Sequence, residues 1–257
     1  MIESVFTALR SEGRAALIPY VTAGHPHVDS TVPLLEALAD RGADVLELGI
    51  PFSDPLADGP TIQQSSFRAL ANGMSVARVL EDLSRFRARR DTPVVLFTYL
   101  NPVVRFGFER FLAAAVDAGA NGLLLTDLPL GSDSALEDAV AASPLDFIRL
   151  VAPTTDTQRA QEVARAGSGF LYYISRTGVT GAQSELPSGL EAEVRRIREV
   201  VDLPVAVGFG ISTPEQAGRV GAIADGVVVG SALVRTLEQE GVEAGAAFIA
   251  SLRAALG

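Results

Sequence analysis

Two carboxylates offer proton chemistry in a chain with few other means of catalysis. Glu47 lies in the apolar run 44–49, and Asp58 follows on a loop bracketed by Pro51, Pro55 and Pro60. Strand side chains alternate faces, so Glu47 shares the face of Val45 and points into the interior of a sheet closed on itself. A carboxyl desolvated there keeps its proton more tightly and moves toward the range of a general acid or base. A structural glutamate paired with an inner arginine fits the position equally. Asp58 suits a shaped lid, and it also suits an ordinary turn.

Composition narrows the chemistry. All 21 basic residues are arginine, so neither a Schiff-base aldolase nor a lysine-anchored pyridoxal phosphate (PLP) site can be built here. His25 and His27, with no cysteine, leave a zinc-dependent aldolase short of ligands; both lie on the first loop beside Pro26 and read as solvated. A net charge of −10 repels nucleic-acid backbones, yet a phosphorylated small molecule can still be held by local backbone dipoles. Met1-Ile2-Glu3-Ser4 lacks signal-peptide character and the apolar stretch 227–234 is too short to span a bilayer, so a cytoplasmic protein is expected.

Anion-binding backbone is available in three places. Gly208-Phe209-Gly210-Ile211-Ser212 and Gly230-Ser231-Ala232 each follow an apolar run, where glycine lets N–H groups approach a phosphate. The segment 175–181, with Gly178 and Gly181, has the length and glycine content of a lid. Tyr172, in the run before it, fits core packing as well as it fits a site.

These residues need elements to position them. Apolar runs at 16–21, 44–49, 93–99, 122–127, 146–151, 169–175, 204–209 and 226–230 read as buried parallel strands. Between them, Val76, Val79, Leu80, Leu83 and Phe86 mark one face of a helix over 75–90. Further helices follow Ser30, Phe108, Ser134, Asp156, Gly189 and Ser212; Ser134 with Glu137 and Ser212 with Glu215 have capping-box spacing. Gly42, Gly119 and Gly167 each close a helix before a strand. Eight alternations predict an α/β fold, a single (β/α)8-barrel (TIM-barrel) domain over 1–257, with an extra N-terminal helix and long loops after the second and sixth strands. Barrel chemistry belongs on the loops after the strands' C-terminal ends.

From Phe6 onward the chain resembles the tryptophan synthase alpha-subunit family. The resemblance rests on the segments 18–24, 98–102, 127–129, 175–181, 208–212 and 230–231, and most specifically on the run 47–63. His25 departs from it, since the family usually has Asp there. The resemblance implies a lyase of tryptophan biosynthesis that cleaves indole-3-glycerol phosphate to indole and glyceraldehyde 3-phosphate without Schiff base or metal. It implies that Glu47 is the acid–base residue, that Asp58 holds the indole N–H, and that Tyr172 supports them. By the same resemblance Gly181, Gly210, Gly230 and Ser231 hold phosphate, and Tyr20, Phe97, Leu124, Thr126 and Leu150 surround the indole. Thr180 is then a lid residue, and Asp54, Pro55, Asn101 and Pro129 face a beta subunit in an alpha2beta2 heterotetramer. No cofactor is expected on this chain, PLP belonging to that partner. A free-standing indole-3-glycerol-phosphate lyase, a sugar-phosphate isomerase barrel and a catalytically inactive regulatory subunit are the alternatives.

Overall fold

Parallel strands joined by helices must cross over, and here every observed strand pairing is parallel. The computed structural model describes residues 2–174, 189–208 and 210–257. Its strands are β1 (Ala16–Thr22), β2 (Leu46–Gly49), β3 (Val94–Thr98), β4 (Gly122–Leu125), β5 (Asp146–Phe147), β6 (Arg149–Val151), β7 (Leu171–Ile174), β8 (Val205–Gly208) and β9 (Gly226–Val229). The sheet order runs β5-β4-β3-β2-β1-β9-β8-β7-β6. Its two ends, β5 and β6, are separated in sequence only by Ile148, whose N–H donates to Leu123 O at 2.9 Å. They are two halves of one strand, so the sheet closes and the eight-stranded barrel expected from the sequence is what forms.

Alternation divides the apolar side chains into two sets. Ile18, Val45, Val95, Leu124, Ile148, Phe170, Ala206 and Val228 fill the interior. Helix α1 (Ile2–Ser11) inserts Ile2, Phe6 and Leu9 against them, with the Phe6 and Phe170 rings 5.6 Å apart. Each such burial stabilises by roughly 1.5–3 kcal/mol. Outward residues such as Leu46 and Leu48 pack beneath the surrounding helices.

Those helices are α2 (Thr31–Asp40), α3 (Pro60–Ala71), α4 (Val76–Arg87), α5 (Leu100–Phe106), α6 (Phe108–Asp117), α7 (Ser134–Ala141), α8 (Thr157–Arg165), α9 (Leu190–Arg198), α10 (Pro214–Gly221), α11 (Ser231–Glu240) and α12 (Val242–Ala255). Both capping boxes sit one residue away from where spacing suggests. Asp133 caps α7, accepting from Leu136 N, while Thr213 caps α10, accepting from Gln216 N. Glu137 instead accepts from Gly131 N and pairs with Arg149 at 2.7 Å. Gly42 (φ +92) and Gly119 (φ +87) take the left-handed conformation, but in the third such segment it is Gly169 (φ +76) that does so. Gly167 answers a different need, since a Cβ there would lie 2.8 Å from Cγ of Arg149.

Candidate active site

A cavity of about 830 Å³ opens at the C-terminal ends of the strands. β2 carries Glu47 inward, fully buried, as alternation requires. Neither carboxylate oxygen has a hydrogen-bond partner among the described residues. No described arginine pairs with Glu47: Arg149, buried at the start of β6, pairs with Glu137 instead. Burial alone pushes the Glu47 carboxyl up to about 8, so it holds its proton at neutral pH.

Asp58 lines the same cavity from the loop after β2. Burial raises its carboxyl to about 6, opposed by a hydrogen bond from Tyr99. The Tyr99 hydroxyl donates to Asp58 Oδ2 at 3.0 Å and accepts from Ala57 N at 3.0 Å. Gln63, on the first turns of α3, donates to Pro55 O at 3.3 Å and Asp58 O at 3.0 Å. Tyr99 and Gln63 thus fasten the second half of the loop, residues 55–58. Tyr99 was not singled out as a site residue from sequence; only its place in the segment 98–102 hinted at it.

The pocket walls follow from two tyrosines and two glycines. Tyr20 pairs in register with Glu47, and a Cβ on Gly49 would lie 2.2 Å from the Tyr20 hydroxyl. Tyr172 pairs with Ala206, and a Cβ on Gly208 would lie 2.1 Å from the Tyr172 hydroxyl. In both cases the ring crosses the neighbouring strand two residues beyond its partner, which only glycine permits. Tyr20 meets Phe97 edge-on, ring centroids 5.3 Å apart. Thr126 and Leu150 complete this wall, but Leu124 does not line the cavity; it is fully buried in the interior layer. Leu124 belongs to the interior layer with Val95 and Ile148, whereas Thr126 lies two residues farther along the chain and reaches the cavity.

Gly210, Gly230 and Ser231 also line the cavity, Gly230 next to Tyr20. Gly230 is the N-cap of α11 and Ser231 its first residue, so unpaired N–H groups converge there. Arg235, one turn along α11, also lines the cavity and was not anticipated. Thr180 and Gly181 lie outside the described residues. Of the expected partner-facing residues, Asp54, Asn101 and Pro129 are exposed, whereas Pro55 is buried and presents its carbonyl to Gln63. His25 is not solvated: it is buried, and its Nε2 lies 2.7 Å from Glu238 Oε2. Burial lowers its pKa, leaving it neutral at pH 7 despite that partner. Among the described residues no group of three or more His, Cys, Asp or Glu could hold a metal ion, and no helix is long and apolar enough to cross a membrane.

The cavity therefore joins a protonated buried carboxyl, an ionisable one on a loop, an aromatic wall and a helix N-terminus. A family model for the tryptophan synthase alpha chain matches residues 6–254. The chain belongs to the tryptophan synthase alpha chain family. The tryptophan synthase alpha chain of Geobacter sp. (strain M21) is 50% identical over 238 residues, covering 93% of this chain and 89% of its own. That of Geobacter sulfurreducens is 47% identical over 260 residues, covering 100% and 98%. The crystal structure of tryptophan synthase subunit alpha from Legionella pneumophila superposes with a TM-score of 0.91 at 38% identity, covering 99% of this chain and 97% of that one. A Mycobacterium tuberculosis tryptophan synthase structure gives 0.92 at 37%, covering 99% and 97%. Membership in the tryptophan synthase alpha chain family removes the sugar-phosphate isomerase alternative, and the family is one of lyases.

Proposed function

We propose that the cavity cleaves indole-3-glycerol phosphate by a retro-aldol reaction, releasing indole and glyceraldehyde 3-phosphate. The observation that carries this reading is Glu47, a buried carboxyl without a partner among the described residues, which titrates near 8. It donates a proton to ring carbon C3, leaving an indolenine cation. The glycerol hydroxyl next to the ring then loses its proton to the Glu47 carboxylate, a C=O bond forms, and the bond to C3 breaks. Those electrons return to the ring, so one proton enters and one leaves. Asp58, ionised above about pH 6, accepts the indole N–H and offsets the cation's charge. Two carboxyls driven to different pKa values by their surroundings take the roles of acid and anion.

Tyr20, Phe97, Thr126 and Leu150 bind the indole, with Tyr172 in support; Gly210, Gly230 and Ser231, with Gly181 from outside the described residues, hold the phosphate end, and Thr180, also outside them, is the lid residue that closes near Asp58. The chain acts as one domain, in the cytoplasm, within an alpha2beta2 heterotetramer whose beta subunits bind Asp54, Pro55, Asn101 and Pro129. PLP resides on the beta subunit; this chain, having no lysine, offers no amine to anchor it as a Schiff base. Indole release from indole-3-glycerol phosphate, measured with and without a beta subunit, tests this. Slow release alone and fast release together are expected; full activity alone would favour a free-standing lyase, and none in either case an inactive regulatory subunit.

A further inference from the structure

Arg235 is the one basic side chain lining the cavity among the described residues. It follows Ser231 by four residues on α11, so the two share a helix face one turn apart. Helix side chains lean back toward the N-terminus, which brings the guanidinium toward the Gly230–Ser231 end.

This is a poor place for a cation with nothing to bind. The positive end of the helix dipole favours carboxylates, yet α11 has no acidic residue in its first turn. The other described arginines that are withdrawn from solvent have acceptors: Arg253 reaches Asp44 at 2.8 Å and Arg149 reaches Glu137 at 2.7 Å. Arg235 has no hydrogen-bond or ion-pair partner among the described residues. The cavity's other ionisable groups include two carboxyls, and the chain carries −10, so an anion entering gains from a local counter-charge beyond the backbone dipoles.

We infer that Arg235 is a phosphate-binding residue, its guanidinium supplying the counter-charge to the phosphoryl group cradled by Gly210, Gly230 and Ser231. The inference rests on the phosphorylated-substrate reading above. Backbone N–H groups alone would bind any compact acceptor; the guanidinium fork adds preference for a doubly charged phosphomonoester. The phosphate does not react, so the contact contributes equally before and during bond breaking and acts on KM rather than kcat.

Titration calorimetry with glycerol 3-phosphate on the full chain tests this, comparing wild type, Arg235→Gln and Arg235→Lys. Arg235→Gln should weaken binding about tenfold or more, as loss of a charge-assisted contact does, with Arg235→Lys between the two. Wild-type affinity should rise from pH 5 to 7 as the phosphate loses its second proton near pH 6, and the Gln variant should rise less. KM should increase with kcat nearly unchanged. Equal affinity in wild type and Arg235→Gln would overturn the inference while leaving the cavity's reading intact. No binding by wild type would overturn both, and unfolding of both variants would mark Arg235 as structural.

Discussion

The Tyr99 hydroxyl bridges the loop that carries Asp58, donating to Asp58 Oδ2 at 3.0 Å while accepting the N–H of Ala57 at 3.0 Å. The Tyr99 ring packs on Phe52, centroids 5.2 Å apart, so β3's end and the loop after β2 are held as one unit. That bond stabilises the Asp58 anion and holds its carboxyl lower than burial alone would. Tyr99→Phe should therefore raise the Asp58 pKa further. The lyase profile of kcat/KM is expected to rise near pH 6 with Asp58 and fall near pH 8 with Glu47. In Tyr99→Phe the acid limb should move up by roughly a pH unit, with the alkaline limb in place. An unmoved acid limb would remove Tyr99 from the site.

Glu47 also makes stability depend on pH. Its carboxyl titrates near 8 folded, against 4.5 for the ordinary group. Below about 4.5 both states are protonated and the group has no effect. Above that the unfolded chain releases the proton while the folded chain keeps it, so stability falls until about pH 8. The full loss is on the order of 5 kcal/mol. Urea midpoints of wild type and Glu47→Gln should therefore diverge as pH rises from 5 to 8, the variant becoming relatively more stable. Parallel curves would mean that Glu47 is not a buried, protonated group.

Gly208→Ala tests the glycine–tyrosine packing. The added Cβ would lie 2.1 Å from the Tyr172 hydroxyl, so the ring must move. Overpacking of this kind costs typically about 1–3 kcal/mol. A lower thermal midpoint and weaker binding of an indole analogue are expected together. Normal values for both would show that Tyr172 has room to move aside.

The loop 50–59 carries both Asp54 and Asp58, so a partner gripping Asp54 would restrict Asp58. Asp54→Ala should blunt activation by a beta subunit while sparing the basal rate. A coupling of roughly 1–3 kcal/mol would correspond to changes of about 5–150-fold. Basal and stimulated turnover of both proteins are the measurement, and equal stimulation would exclude Asp54 from the coupling.

The barrel was legible because its strands are continuous apolar runs, and β1, β8 and β9 fall within a residue or two of those runs. α3 was not legible, because its buried face includes Ser65 and Ser66 and so shows little apolar periodicity. α11 was hidden for another reason: the apolar run 227–234 crosses from β9 through Gly230 into the helix, changing period midway. Arg235 was missed with it. Glu47 could be placed by alternation alone, but Tyr99 meets Asp58 across 41 residues of chain, a contact no local pattern encodes. Leu124 and Thr126 lie on one face of the chain after β3, and only the barrel's depth separates lining from filling.

The central claim is that Glu47 moves the protons of carbon–carbon cleavage. Single-turnover indole release at pH 7, with a beta subunit present, compares wild type with Glu47→Gln, which keeps the shape and removes the titratable proton. A general acid–base group contributes about 10²–10⁴-fold, and the account predicts a loss of at least that size with substrate affinity retained. A variant keeping more than about a tenth of the wild-type rate would contradict it.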